Sequence, residues 1–401
     1  MSAFAGTGWA KWKIVATVAT ILAVIMGQLV NGLSSFFTPL EQAFGWTRAD
    51  IALINTAGLV GLALGGIGMG VLADRIGVRP VAVMGVAISA ACFAAASAAQ
   101  SLWMLYVLFF MAGTFGAGAV FGPLIALTGR WFTTGAGLAL GLVAAGQAIG
   151  QGIVPFANVV LIDALGWRGA FLAYGIFTAG AVLPLTVFLK APPAAAATLV
   201  VQAGTAQQPF GRVVVLMSVA VFWCCTLMSV PLMHLLPLIE SCGIPSTQAG
   251  GAVFVMMLAA IGGRVAFGRV ADLIGPVQAW FVASFWQTSL VFVFTGIGSL
   301  PLFLAFAPIY GFGYAGVMTA ILATLKVLTP PAHRASATGI VLAFAWLGHG
   351  FGGYAAGALF DWSLNYTAAF GFAALAGLVN LATVGVLWMV TSAPRTAVAA
   401  A

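Results

Sequence analysis

Hydrophobic residues recur along this chain in long runs that are separated by short polar stretches. Each run approaches the roughly 20 apolar residues that a helix needs to cross a bilayer. Lipid cannot satisfy free backbone amides, and the runs lack the alternation of barrel strands, so helices are expected. The pattern predicts twelve transmembrane helices, at residues 14–37, 49–72, 80–98, 102–127, 136–161, 169–189, 213–238, 249–269, 277–297, 301–325, 336–359 and 367–391.

The composition supports the same class. The chain has 401 residues, of which 63% are hydrophobic and 5% are charged. A soluble domain has about 45–50% apolar and about 25% charged residues, so we expect an all-α membrane protein surrounded by a lipid bilayer. Lys11 and Lys13 precede an apolar stretch longer than the roughly 7–15 residues of a signal-peptide core. The first run is therefore expected to remain as a spanning helix.

Basic residues predict the orientation, because Lys and Arg concentrate in cytoplasmic loops. With both termini cytoplasmic, two of the 14 basic residues, Arg48 and Arg168, lie outside, and Arg264 lies within a run. The other eleven lie inside: Lys11, Lys13, Arg75, Arg79, Arg130, Lys190, Arg212, Arg269, Lys326, Arg334 and Arg395. The expected location is an inner or plasma membrane. Topology accounts for the net charge of +7, and no basic patch suggests a nucleic-acid partner.

Acidic residues are expected only at loops and helix ends. Asp74 and Asp272 fall on the inner side. The outer side holds Glu41, Asp50, Asp163, Glu240 and Asp361. The pattern therefore predicts no carboxylate in the middle of the membrane.

The cysteines do not suggest a chemical site. Cys92, Cys224, Cys225 and Cys242 lack metal-ligand spacing, and we expect no disulfide framework, metal or cofactor. A membrane enzyme would need a metal cluster or a nucleophile–base constellation. Three scattered histidines and unpaired cysteines supply neither.

The chain divides into two similar halves. The stretch "KAPPAAAATLVVQAGTAQQPFGR" at 190–212 predicts a cytoplasmic linker between six-helix bundles at 1–189 and 213–401. Residues 198 positions apart match in several helices: Pro39 and Pro237, Gly150 and Gly348, Gln151 and His349, and Asp163 and Asp361. Such repeats are typical of transporters that hold a substrate between their halves.

The repeat includes a loop motif, "GVLADRIG" from Gly70 and "GRVADLIG" from Gly268. We expect these two glycines to allow close helix approach. Asp74 and Asp272 are expected to accept hydrogen bonds at a helix N-terminus or to pair with a loop arginine. We interpret six residues as a structural latch of the inward-closed state rather than a substrate site: Gly70, Asp74, Arg75, Gly268, Arg269 and Asp272.

The segment "GVLADRIGVRP" resembles the signature loop of the major facilitator superfamily. Five segments from the first to the eighth helix resemble its monocarboxylate/oxalate branch: "FFTPLEQAFGWTRADIAL", "RWFTTGAGLALGLVAAGQAIGQGIVP", "GWRGAF", "HLLPLIESCGI" and "GGRVAFGRVADLIG". The resemblance implies secondary transport of small organic anions, often with a proton or by exchange. "RWFTTGAG" is less basic than in relatives, and Ala260 stands where animal members have Asp, so a proton route through an Asp–Arg pair is unsupported.

Arg264 is the foremost candidate site residue. A charge within a spanning helix costs about 2.5–3.5 kcal/mol on insertion scales, and arginine presents a planar fork that fits a carboxylate. By resemblance, Arg264 corresponds to the arginine that binds substrate carboxylate in this branch. Alternatively, its side chain reaches the inner surface or serves the latch, because Arg269 follows five residues later.

Two histidines lie within predicted spans, and each allows a functional and a structural interpretation. His349 lies midway along the eleventh run, near a position where oxalate-type relatives carry a second cation. It either binds the anion and carries a coupling proton, or is a neutral packed histidine. His234 lies near the outer end of the seventh run. It is either an outer-gate or proton-entry residue, or an interfacial histidine.

Other polar residues lie at helical spacing within the runs. Each pair shares a helix face, so its members either line a cavity or make interhelical hydrogen bonds. The hydroxyls of the tyrosine pair would cap an anion or simply pack. The pairs are Gln28 with Asn31, Gln147 with Gln151, and Tyr310 with Tyr314.

The sequence thus predicts an alternating-access transporter of small carboxylates, coupled to a proton or to an opposing anion. A proton-driven exporter of drugs is the alternative, but it would normally use a membrane-embedded Asp or Glu. A membrane sensor without transport is a remoter alternative. The sequence does not identify the acid, the direction of transport or the oligomeric state.

Overall fold

A computed structural model describes residues 5–132, 136–191, 210–330 and 333–392. The predicted linker at 190–212 lies mostly outside these residues, as does Arg395. Within them, eleven helices are long and apolar enough to cross a membrane. The helix Leu138–Phe188 has 51 residues and contains Gly166 at a φ of 70°, where it divides into two spans. Twelve spans result, which confirms the predicted all-α membrane fold.

The N-terminal bundle holds six spans. Helix α1 runs as Ala5–Met26, continues through a π-helical Gly27–Asn31 and a 3-10 Gly32–Phe36, and ends as Phe37–Phe44. Helix α2 is Arg48–Ile76 and α3 is Val78–Ala96. Helix α4 comprises Leu102–Met111, a π-helical Ala112–Ala117 and Gly118–Trp131. Helices α5 and α6 cover 136–165 and 167–188.

The C-terminal bundle repeats this plan. Helix α7 is Phe210–Ser241, α8 is Ser246–Ile274, and α9 is Pro276–Val291 with a 3-10 end at Phe292–Gly296. Helix α10 is Leu300–Leu328, α11 is Arg334–Ser363 and α12 is Tyr366–Ser392. Each bundle has its own apolar core. The bundles meet where α2 packs on α11 and α5 packs on α8.

The backbone conformation of the turns shows the same offset of 198 residues. Six described residues have a positive φ, and they form three pairs at that spacing: Gly45 with Gly243, Gly77 with Gly275, and Gly166 with Leu364. The left-handed region suits glycine because it has no Cβ, and Leu364 adopts it only in the second half. The two halves are therefore related turn by turn.

Close helix packing occurs at other glycines than expected. A Cβ on Gly70 would meet nothing within 4 Å, and one on Gly268 would meet only Thr319 at 3.8 Å. Gly65 instead lies against the backbone of Thr114, and Gly263 lies against the backbone of Phe312. The expectation that Gly70 and Gly268 allow close approach is wrong for this conformation, because both lie beyond the region where the helices cross.

Candidate functional site

A cavity of about 200 Å³ lies between the two bundles. Its wall combines residues of α1, α4 and α5 with residues of α7, α8, α10 and α11. It extends towards the inner end, the end that carries most Lys and Arg, where Leu140 and Thr338 line it near the starts of α5 and α11. The wall is largely apolar, and among the described residues that line it none is Asp or Glu.

Arg264 supplies a cation to this cavity. It follows Gly263, whose contact with the Phe312 backbone holds α8 against α10. The Arg264 Nε atom is buried and has no hydrogen-bond partner among the described residues, and the residue as a whole is partly exposed. Its counterpart at the offset of 198 is Gly66, so this cation belongs to one half alone. The guanidinium can accept a bidentate carboxylate.

His349 also lines the cavity, from α11. The residue is only 4% exposed, and its Nε2 atom has no partner among the described residues. Its ring lies edge-on to Trp346, with the centroids 6.4 Å apart. The next residue, Gly350, accepts a hydrogen bond of 2.8 Å from the Thr56 hydroxyl of α2. This bond fixes the position of α11, and with it His349, along the facing helix α2 of the opposite bundle.

Three more predicted residues line the cavity: Gln147, Gln151 and Tyr314. The Gln151 side-chain oxygen is buried without a hydrogen-bond partner in the described structure. Arg264, His349 and these three thus line one cavity. The guanidinium of Arg264 donates, and the Nε2 of His349 can donate when it is protonated, whereas the Gln151 oxygen only accepts. Such a set can hold a small anion by charge and hydrogen bonds together.

The other three predicted binding residues do not line the cavity. Tyr310 is buried against Phe294, with ring centroids 5.2 Å apart. Gln28 and Asn31 belong to a hydrogen-bond network inside the N-terminal bundle. The Gln28 oxygen accepts from Asn158 at 2.8 Å, and the Asn31 amide donates to the Gln151 backbone at 3.1 Å.

This network supports the irregular part of α1. The π-helical and 3-10 segments free backbone carbonyls, which must find donors inside a membrane. Asn55 of α2 donates to the Leu29 carbonyl at 2.5 Å and to the Val30 carbonyl at 3.3 Å. Asn158 of α5 donates to the Gly32 carbonyl at 3.1 Å. Val30, which this break positions, lines the cavity.

His234 does not line the cavity but lies on its outer side, where helices of the two bundles meet. It is fully buried, and its Nε2 lies 2.8 Å from the Gly353 carbonyl oxygen. Its ring packs edge-on to Phe37 at 5.1 Å and beside Tyr366 at 5.7 Å. It therefore joins α1, α7, α11 and α12 at the outer end, so it is not the interfacial histidine of the alternative interpretation.

A set of polar contacts closes the outer end, and we call it the outer clasp. The carboxylate of Asp361 accepts from the backbone amides of Arg48 at 3.0 Å and Ala49 at 2.7 Å. The Arg48 guanidinium donates to Glu41 at 2.7 Å and to the Tyr366 hydroxyl, and it lies 3.9 Å from the Phe360 ring centre. Thr38 donates to Glu240 at 2.7 Å. Except for the bond to Glu41, all these contacts cross between bundles.

The contacts predicted for the latch are not formed among the described residues. Asp74, Arg75, Arg269 and Asp272 are exposed at the inner end. Within the described part of the chain, none of their side chains makes a hydrogen bond or an ion pair. The expected pairing of Asp74 and Asp272 with a helix N-terminus or a loop arginine is therefore not formed in this conformation, where both carboxylates are exposed.

The sequence does not point to several of these residues. Cys225, Met228 and Trp346 line the cavity, but they resemble ordinary apolar residues of a spanning helix. Asn158 has the same polarity signal as Asn31, yet it is absent from the predicted set. Asp361 is predicted only to lie in an outer loop or at a helix end, because the sequence cannot show which helix faces it.

The comparisons agree with this architecture. The sequence matches the family model of the Major Facilitator Superfamily over residues 18–287 and 215–401. Human monocarboxylate transporter 11 is 29% identical over 385 residues, which cover 90% of this chain and 79% of that protein. The uncharacterized MFS-type transporter YcxA of Bacillus subtilis is 24% identical and covers 89% of this chain and 90% of its own length.

Solved structures share the fold. The nucleoside transporter NupG superposes with a TM-score of 0.72 at 12% identity, over 94% of this chain and 99% of its own. A bacterial homologue of the human lysosomal transporter Spinster gives 0.69 at 14% identity, over 94% of both chains. Together with the family match and the two-bundle cavity, these findings assign the chain to the Major Facilitator Superfamily of membrane transporters, which are not enzymes.

Proposed function

We propose that this transporter carries small organic anions, foremost monocarboxylates with an apolar substituent, by alternating access. The observation that carries the proposal is Arg264, a cavity-lining arginine with a buried, unpartnered Nε and no acidic residue among the described residues around it. A permanent cation held within a membrane-spanning helix calls for a counter-charge, and an anionic substrate supplies it.

The rest of the cavity favours one carboxylate. Arg264 is the one permanent cation among the described residues that line it, so a second carboxylate would lack a partner. The apolar wall suits the remainder of the ligand. A volume of about 200 Å³ lies below the roughly 300–1,000 Å³ of pockets for drug-sized ligands, which favours a small substrate.

In this proposal, two features drive alternating access: neutralisation of the Arg264 charge and the exchange of contacts between the two ends of the molecule. Carboxylate binding neutralises Arg264, which lowers the cost of enclosing it as the bundles close. The outer clasp opens as the inner latch forms, so each set of contacts belongs to one state. Either a proton, with His349 as its acceptor, or an opposing anion preserves the charge balance. We expect both termini on the cytoplasmic side of an inner or plasma membrane.

A screen of ligand-induced thermal stability tests the proposal in purified protein. Ligands that bind only the folded state stabilise it, by about 2.7 kcal/mol at 100 times Kd. We expect monocarboxylates to raise the melting temperature, and dicarboxylates, amines and sugars to have less effect. Arg264→Gln should weaken carboxylate binding roughly 10- to 150-fold, because a hydrogen-bonded charge is lost. The carboxylate affinity of Arg264→Lys should lie between those of the unchanged protein and Arg264→Gln, since lysine keeps the positive charge but lacks the two parallel N–H donors of the guanidinium.

Arg269→Gln is the matched control, because it removes a cation of the same helix that lies exposed at the inner end. It should respond like the unchanged protein. A response to amines would favour the drug-exporter alternative. An Arg264→Gln protein that binds carboxylates normally would assign Arg264 to the latch and refute the anion site. Uptake of the responding acid into proteoliposomes then separates transport from sensing.

A further inference from the structure

A second pocket at the inner end of the N-terminal bundle gathers three cations. It has a volume of about 270 Å³ and lies between the inner ends of α2, α3, α4 and α6. Arg79, Arg130 and Lys190 line it, together with Asp74. In the described part of the chain, the three basic side chains make neither a hydrogen bond nor an ion pair. The pocket therefore has an excess of positive charge.

Among the described residues that line this pocket, Asp74 is the one acidic residue. The segments that adjoin Arg130 and Lys190 along the sequence, 133–135 and 192–209, contain neither Asp nor Glu. Asp74 already lines the pocket, and Asp272 belongs to the equivalent turn of the opposite bundle. Arg79, Arg130 and Lys190 are exposed at the inner end, and an anionic ligand from outside the chain would balance their charge.

The second half of the chain carries apolar residues at the positions equivalent to these cations. The turn is kept, with Asp272 for Asp74 and Gly275 at a φ of 98° for Gly77 at 94°. The three basic positions, however, correspond to Val277, Leu328 and Trp388. The turn and the end of the fourth span thus form with apolar residues at the equivalent positions, whereas α12 continues past Trp388 to Ser392 and α6 ends before Lys190.

The lining of the pocket combines charged and apolar side chains, a composition that suits a lipid headgroup. The apolar side chains are Val78, Leu127 and Leu189. The Trp131 indole donates to the Lys190 backbone at 2.9 Å, which fixes the end of α6 against α4. Basic pockets between helix ends on the cytoplasmic side favour anionic lipids, and arginine pairs with phosphate through two hydrogen bonds.

We propose that Arg79, Arg130 and Lys190 form a binding site for the phosphate group of an anionic phospholipid. Three basic residues against one acidic residue give the pocket a formal charge of about +2. It therefore selects a headgroup with a net negative charge over a zwitterionic one. The site is separate from the transport cavity, and it would anchor the N-terminal bundle to the inner leaflet while the other bundle moves.

Native mass spectrometry of the delipidated protein tests this site. Phosphatidylglycerol and phosphatidylcholine with identical acyl chains are titrated separately into the detergent-solubilised protein. We expect one high-affinity phosphatidylglycerol and much weaker phosphatidylcholine binding. Arg130→Gln with Lys190→Gln should weaken phosphatidylglycerol binding roughly 30-fold, since each basic residue near an anionic surface contributes on the order of 1 kcal/mol.

Lys13→Gln with Arg212→Gln is the matched control, because it removes two exposed cations of the same membrane face outside the pocket. It should bind like the unchanged protein, as should the charge-conserving Arg130→Lys with Lys190→Arg. Equal binding of the two lipids by the unchanged protein would overturn the proposal. So would an equal loss of phosphatidylglycerol binding in the Arg130→Gln/Lys190→Gln and Lys13→Gln/Arg212→Gln variants. Full displacement of phosphatidylglycerol by millimolar inorganic phosphate would assign the pocket to a soluble ion instead.

Discussion

Three consecutive residues of α8 have different environments. Gly262 faces the Phe312 ring at an ordinary 4.0 Å from its would-be Cβ, Gly263 lies against the Phe312 backbone, and Arg264 lines the cavity. In the first half, the equivalents of the last two are Gly65, which packs on Thr114, and Gly66. The repeat therefore keeps the packing glycine in both halves and carries the cation in one.

Gly263→Ala should destabilise the protein, because the added methyl group would overlap the Phe312 carbonyl oxygen and push α8 from α10. Overpacking of this kind costs about 1–3 kcal/mol. Gly262→Ala is the matched control, since its methyl group has room and alanine favours helix by up to about 1 kcal/mol. Melting temperatures of the purified variants measure both effects. Equal melting temperatures for the two variants would contradict the close contact.

The sequence predicted the cation better than the neutral polar residues. Arg264 stands out because a charge within an apolar run is visible without a structure. Gln28, Asn31 and Tyr310 give the same kind of signal as Gln147 and Gln151, yet they lie outside the cavity wall. Periodicity shows which residues share a helix face, but not which neighbour that face meets. This limit explains why part of the predicted set lies elsewhere.

At the scale of helices, α1 and α7 show that local sequence does not decide where a spanning helix breaks. Helix α7 contains Pro231 and Pro237 and remains α-helical from Phe210 to Ser241. Helix α1 leaves α-geometry between Gly27 and Phe36, a stretch without proline. Its freed carbonyls are satisfied by Asn55 and Asn158 of neighbouring helices. Hydropathy predicted both spans, but not the break, because its cause lies in other helices.

The outer clasp is another feature that joins distant helices. The amides of Arg48 and Ala49 are the first two of α2, and their acceptor, Asp361, lies near the end of α11 in the other bundle. A carboxylate at a helix N-terminus satisfies free amides and interacts favourably with the helix dipole. Asp163 occupies the equivalent place in the first half, but it is exposed and has no hydrogen-bond partner among the described residues. Only one of the two possible caps is thus formed.

Asp361→Asn should therefore shift the protein towards an open outer end. The amide keeps one acceptor oxygen but loses the charge, and loss of an N-cap costs about 0.5–2 kcal/mol, or roughly 2- to 30-fold in the ratio of states. Spin labels at Gln100→Cys and Gly298→Cys, equivalent exposed outer positions in a cysteine-free background, report the distance between the bundles. The variant should show a larger population of long distances.

Asp163→Asn is the control for this measurement, because it makes the same chemical change at the uncapped equivalent. It should leave the distance distribution unchanged. If both variants shift the distribution equally, the effect arises from surface charge rather than from the cap on α2. If neither does, the clasp does not contribute to the balance between states.

At the scale of the whole molecule, two native thiols lie at different depths, Cys225 midway along α7 and Cys242 just beyond its outer end. Cys225 lines the cavity, which extends towards the inner end. Cys242 is exposed beyond the outer end of α7. Cys92, Cys224 and Cys225 are all buried, and of these three Cys225, which is 3% exposed, lines the cavity, so its modification should be slower than that of Cys242. Family membership and the paired turns support the two-bundle architecture predicted from the sequence, but its orientation in the membrane rests on the distribution of Lys and Arg.

Proteins that keep only Cys225 or only Cys242 test the orientation and the outer seal together. A membrane-impermeant thiol reagent should modify Cys225 in inside-out vesicles and Cys242 in right-side-out vesicles. A reversed pattern would mean that the basic loops face outwards. Reaction of Cys225 from both sides would mean that the outer clasp opens readily without substrate. A saturating monocarboxylate should slow the modification of Cys225 only while Arg264 is present, because the ligand must occupy the same cavity to shield the thiol.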